Sequence, residues 1–230
     1  MSQAKKVFTR MCLNNWGGID HKVLEFHEYV NLFSGKSGSG KSTVMDAIQV
    51  ILYGSFSPSF LNKAADDAKN RRSVLSYLRG EQKDGSANRK DCDFCSVIAL
   101  EIEDTGTHII TCIGIAFEVR KSDSEIKKFV YFSHSGKMPE SEYLTEQGVC
   151  YSNQEIKKLV SARTKSDDNR GKGEVNRIYG SKEAYLGTLY DVILGYIDQN
   201  RFITMEKSAI ALKMTNGTGQ FIRDYMFPKN

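Results

Sequence analysis

The eight residues Gly35-Lys-Ser-Gly-Ser-Gly-Lys-Ser42 constrain this chain more than any other stretch. They fit the pattern G-x-x-x-x-G-K-[S/T], in which glycines let the backbone curl until several N–H groups point inward at a phosphate. The pattern carries meaning only where a strand enters it and a helix leaves it. The sequence offers both. Tyr29-Val-Asn-Leu-Phe33 reads as a strand, and Val44, Ala47, Ile48, Ile51 and Leu52 recur at helical spacing over 41–53, with Gly54 placed to cap the end. Strand, phosphate loop and helix in succession predict an α/β fold.

Each loop position has a part in that chemistry. Gly35, Lys36, Ser37, Gly38, Ser39 and Gly40 would wrap the β-phosphate of a nucleotide, backed by the partial positive charge of the helix N-terminus. Lys41, the candidate catalytic residue, reaches the β- and γ-phosphates; Ser42 offers the hydroxyl that ligates Mg²⁺, and Thr43 contacts the α-phosphate. ATP and Mg²⁺ are the expected cofactors. Hydrolysis needs more: an acidic residue after an apolar strand. Val192-Ile-Leu-Gly-Tyr-Ile-Asp198 comes nearest, but its pattern begins as a helix and contains Gly195, so it reads as a decoy. Asn62-Lys63-Ala-Ala-Asp66 has one residue too many for a guanine-recognition box. The sequence therefore predicts a complete fold with half of a hydrolytic site.

Elsewhere the pattern predicts strands at 7–13 and 22–26 around a turn at Asn14-Asn-Trp-Gly-Gly18, an antiparallel set at 93–103, 107–120 and 128–133, and helices at 71–78, 153–163, 181–194 and 220–227. The sheet expected is mixed, with flanking helices and a flexible loop at 164–174. The longest apolar candidate, 109–117, is interrupted by Thr111 and Gly114 and reads as a strand, so no membrane span or membrane partner is expected. Five scattered cysteines suit a reducing compartment, and Cys92-Asp-Phe-Cys95 lacks the second ligand pair a zinc site needs. Trp16 either packs near the nucleotide or closes a hairpin, and Phe117, Phe129, Tyr131 and Phe132 read as core. Residues 62–90 hold eight basic and four acidic side chains, an excess equal to the +4 of the whole chain. Such a stretch either contacts DNA phosphates through counterion release or is a solvated loop.

Asn14-Asn-Trp16, Tyr29–Phe33 and the run from Gly35 through Ser-Thr-Val-Met-Asp-Ala-Ile48 resemble the N-terminal ATPase lobe of SMC-like proteins. Asn62-Lys-Ala-Ala, Arg71-Arg-Ser-Val-Leu-Ser-Tyr-Leu-Arg-Gly80, Lys207–Lys213 and Phe221–Phe227 are similar to the MukB/MksB branch, which includes the Wadjet anti-plasmid ATPase JetC. The resemblance implies a P-loop NTPase fold of ABC/SMC head type, spanning 1–230 as the N-terminal lobe of a split head. A coiled coil and a C-terminal lobe would lie beyond Asn230, the latter bearing the missing signature and acidic motifs. It implies ATP-driven pairing with a second head as a homodimer, kleisin-type and winged-helix accessory subunits, and double-stranded DNA as partner, in the bacterial cytoplasm with the nucleoid. It adds Asn15 to the nucleotide contacts and Arg71, Arg72 and Arg79 to the DNA contacts. The family's Mg²⁺-contacting glutamine is matched poorly: Gln199 and Gln220 are candidates, and Met214 stands where one is expected. The implied function is DNA loop extrusion, chromosome organisation or defence against plasmids, with almost no turnover by this chain alone. The alternatives are a transporter-type nucleotide-binding domain and a self-contained P-loop kinase or GTPase.

Overall fold

The structure, a computed structural model, describes residues 4–36, 40–57, 73–82, 85–167 and 175–210. Its centre is one six-stranded sheet in the order β2-β1-β3-β4-β5-β6. The strands are β1 (Lys6–Trp16), β2 (Ile19–Glu25), β3 (Phe94–Asp104), β4 (Ile110–Val119), β5 (Lys128–Ser135) and β6 (Arg177–Tyr179). Every pairing is antiparallel, so the described sheet is not the mixed one expected. The reason lies in the connections. β1 and β2 are joined by a two-residue turn, and β3, β4 and β5 by loops too short for the crossover a parallel pair requires.

Period-two alternation divides the side chains between two layers. Met11, Leu13, Ile98, Leu100, Ile113, Ile115 and Phe117 face one side, where α1 (Lys41–Tyr53), α2 (Val74–Arg79) and α4 (Lys182–Gly187) cover them. Cys12, Val97, Ala99, Cys112, Ala116 and Phe132 face the other and meet α3 (Asn153–Asp167) through Ile156 and Val160. Both faces are covered, so β3 and β4 are each buried over seven consecutive residues, mostly apolar on both faces, with Ser96, Glu101 and Thr111 the polar exceptions. Gly114 sits mid-sheet because a Cβ there would lie 2.5 Å from the Ile98 carbonyl and 2.7 Å from the Phe132 ring.

Three expectations change. Tyr29–Phe33 is in no strand, and Tyr29, Val30 and Leu32 are 76–89% exposed. No described strand lies alongside to complete a ladder, and Asn31 instead closes a local turn, its amide bonding both the N–H and the carbonyl of His27. The helix expected over 181–194 is α4 followed by a wider π-helical turn, Thr188–Ile193, closed by Leu194 N–H donating to the Leu189 carbonyl. β6 and α5 (Gln199–Ile210) arise where the sequence pattern assigns no element. The helix expected at 220–227 lies outside the described residues, and α3 extends into the loop expected from 164.

Candidate nucleotide-binding site

α1 begins directly behind Gly40, whose φ of 88° is left-handed and suits glycine. Gly40 has no side chain with which to cap the helix, so the first N–H groups of α1 keep their polarity for whatever the loop holds. The Lys41 ammonium turns back across the loop, donating to the Gly35 carbonyl at 2.6 Å and the Lys36 carbonyl at 2.9 Å. It thus spans the loop where a bound phosphate would attract it. Ser42 is exposed and Thr43 half-buried. A left-handed glycine, an inward lysine and an exposed hydroxyl fit a nucleotide phosphate with its Mg²⁺ on Ser42. Ser37, Gly38 and Ser39 lie outside the described residues.

The wall behind the loop is built by residues far apart in sequence. Trp16, the last residue of β1, is fully buried beneath the first turn of α1, and its indole N–H donates to the Thr43 carbonyl at 2.9 Å. Its ring stacks on Tyr77 of α2, with centroids 5.1 Å apart. The Tyr77 hydroxyl donates to the buried Asp46 carboxylate. Gly17, next to Trp16, has φ 59°, and a Cβ there would lie 2.6 Å from Thr43 Cγ2. The β1–β2 turn therefore presses directly on the helix start.

At its far end α1 is held by three tyrosine hydroxyls. Tyr185 donates to the Ile51 carbonyl, Tyr190 to that of Leu52, both at 3.0 Å, and Tyr131 to that of Gly54 at 2.6 Å. These carbonyls are among those a helix leaves without internal partners. Burial pushes all three phenols up, Tyr131 to about 12 with Glu183 nearby adding to the effect.

The remaining expected residues fall as follows. Asn15 ends in a left-handed conformation, φ 55°, and its amide donates to the Cys95 carbonyl at 2.8 Å. Trp16 both closes the hairpin and packs against the helix of the site, buried too deeply to lie on a base. Arg79 turns inward: one Nη donates to the Lys121 and Asp123 carbonyls at 3.1 and 2.6 Å. Arg89 does likewise, bonding Leu78 and Gly17 carbonyls and Asp20, and burial lowers its pKa. Two of the eight basic groups in 62–90 therefore serve the fold, and Arg71 and Arg72 lie outside the described residues. Gln199 opens α5; Met214 and Gln220 are outside the described residues. Asp198 accepts from the Arg201 N–H at 2.8 Å and caps α5, in keeping with a decoy. Reasoning from sequence misses Asp46 and Tyr77: Asp46 lies four residues after Ser42, on the side of α1 away from Val44, Ala47, Ile48 and Ile51, so the helical period gives no sign that it is buried.

Residues 8–68 match the family described as the P-loop containing region of AAA domain. Over 74 residues the chain is 34% identical to the SbcC component of the SbcCD nuclease of Staphylococcus haemolyticus, covering 30% of this chain and 6% of that protein. A structure of the recombination mediator protein RecF with ATP in the RecFOR pathway overlaps 96% of this chain and 49% of its own, at 17% identity and a TM-score of 0.36. The chain thus spans a small part of the one relative and about half of the other. Among the described residues no helix is long and apolar enough to cross a membrane. The loop and α1 both fall inside the matched segment, as a P-loop NTPase fold requires.

Proposed function

We propose that this chain is the ATP-binding lobe of an SMC-like ATPase head of the MukB/MksB type, acting in DNA loop extrusion, chromosome organisation or defence against plasmids. The observation that carries the reading is Lys41 folded onto Gly35 and Lys36 in front of the uncapped start of α1. That arrangement binds and orients phosphates, and none of the described residues that form it is an acid able to polarise water. The exposed apolar side chains of Tyr29, Val30 and Leu32, which run up to the loop, support a second lobe seated there. A signature motif from a second head would then close on the nucleotide, so that pairing follows ATP. Kleisin-type and winged-helix subunits belong to the same proposal. So do DNA contacts through Arg71 and Arg72, whereas Arg79 is committed to backbone carbonyls.

The test is MgATP binding and turnover by the chain, alone and mixed with a C-terminal lobe carrying signature and acidic motifs. Binding by the chain alone is expected, with turnover only in the mixture. Sustained hydrolysis by the chain alone would refute the split site. Replacing Arg71 and Arg72 with Glu is expected to flatten the salt dependence of DNA binding by about two phosphate contacts; an unchanged slope would remove those residues from the interface.

A further inference from the structure

Trp16 is the chain's one tryptophan, and it is sandwiched between two elements that no covalent neighbourhood joins. Its N–H holds Thr43 in the first turn of α1, and its ring lies on Tyr77 of α2 at an interplanar angle of 10°. Tyr77 reaches past it to Asp46, one turn further along α1 and on the same stripe as Ser42. The Tyr77 carbonyl accepts from the Gly17 N–H at 2.8 Å, and the Arg89 guanidinium ties Leu78 and Gly17 together. α2 therefore cannot shift against the β1–β2 turn without altering what holds Thr43 and Asp46.

We propose that Trp16, Tyr77 and Asp46 are positioning residues that link the placement of α2 to nucleotide occupancy of the phosphate loop. The proposal rests on the nucleotide-binding reading above. A phosphate in the loop draws Lys41 off the Gly35 and Lys36 carbonyls and engages the N–H groups of the first turn. Thr43 belongs to that turn, so the change reaches the indole N–H and, through the stacked ring, α2. Linkage is reciprocal: a partner that displaces α2 changes nucleotide affinity by the factor with which nucleotide opposes the displacement.

A single tryptophan makes the test direct, because the full chain gives one indole ¹⁵N–¹H resonance. It is followed during titration with MgATP in the wild type, Y77F and Y185F, while W16F, which has no indole, is titrated with MgATP by calorimetry alone. Y185F removes a hydroxyl from the other end of α1 and controls for general loss of stability. The expected result is a nucleotide-dependent shift of the indole resonance in the wild type. Y77F and W16F should weaken MgATP binding about fivefold or more, the low end of typical coupling, while Y185F leaves it unchanged. If MgATP binds the wild type but the indole does not move and Y77F binds as the wild type does, the linkage is refuted and the nucleotide site stands. If MgATP does not bind the wild type, the nucleotide reading falls and the linkage with it. Should W16F not fold, Y77F and D46N carry the same comparison.

Discussion

Gly80 and Gly148 allow the packing behind the loop to be weighed. Both are left-handed, with φ of 65° and 73°, so alanine costs each about 1 kcal/mol of backbone strain. There the two positions part. A Cβ on Gly148 meets nothing within 4 Å, whereas on Gly80 it would lie 2.6 Å from the Gly17 carbonyl oxygen and 3.2 Å from Arg89 Nη2. That carbonyl is backbone in the β1–β2 turn, so relief means moving the turn. Arg89, buried, donates to the same oxygen. Losing a hydrogen bond made by a buried charged group costs roughly 1.5–3 kcal/mol. G148A should therefore destabilise by about 1 kcal/mol and G80A by about 3. In a chain of this size 1 kcal/mol moves Tm by roughly 2–4 °C, so the drops are about 2–4 °C and about 6–12 °C. Thermal unfolding followed by circular dichroism at one pH and protein concentration reads both. Equal drops would mean that the close approach of α2 to the turn does not constrain the fold, and the linkage through Tyr77 would lose its mechanical basis.

K41A removes the charge-assisted contact to phosphate and should weaken MgATP binding about 10- to 100-fold while leaving Tm nearly unchanged, measured by calorimetric titration and melting. Tyr131, Tyr185 and Tyr190 have folded pKa values raised above the unfolded value, so their contribution is complete below about pH 10 and is lost as pH rises toward and beyond the folded value, about 12 for Tyr131. Stability measured in urea should fall above about pH 10, less steeply in Y131F; an identical slope would refute the assignment. Burial holds the His134 imidazole down, at about 4, with Nε2 placed to accept from the Tyr143 hydroxyl. A folded value below the unfolded one gives stability that is full above the unfolded pKa of about 6.5 and lost as pH falls through about 4. The His134 ring resonances should accordingly keep their neutral position at about pH 5, and a midpoint near the ordinary histidine value would refute the burial argument.

The sequence made the phosphate loop and α1 legible because their signals are local: eight residues of fixed spacing, then apolar positions at helical period. The strands at 7–13, 93–103 and 107–120 are legible for the same reason, and the structure moves their ends by only a few residues. Tyr29–Phe33 shows the limit. Its apolar composition is that of a strand, but a strand exists only where a neighbour completes its ladder, and composition cannot supply one. Arg79 and Arg89 show another: counted as surface charge, they turn inward because carbonyls at Lys121, Asp123, Leu78 and Gly17 await donors. Net charge describes a segment, whereas contact with a partner depends on which side chains the fold leaves outside.

What the sequence hid most completely is how α1 is held. The bonds to its C-terminal carbonyls come from residues 134, 138 and 77 positions away, and the bond to its first turn from one 27 positions earlier. Each donor is an aromatic whose ring already belongs in the core, so periodicity explains it without its polar atom. Yet the polar atoms decide the helix's freedom. A phosphate loop works by presenting N–H groups already oriented, so that little ordering must accompany binding. Glycine, which recurs in the loop's sequence, restricts the backbone least of all residues. The orientation must come from the helix behind, which is fixed at one end by Trp16 and at the other by Tyr131, Tyr185 and Tyr190. Removing one of those hydroxyls should therefore leave the loop's chemistry intact and cost stability, whereas loosening the Trp16 end, beside the phosphates, should cost affinity as well.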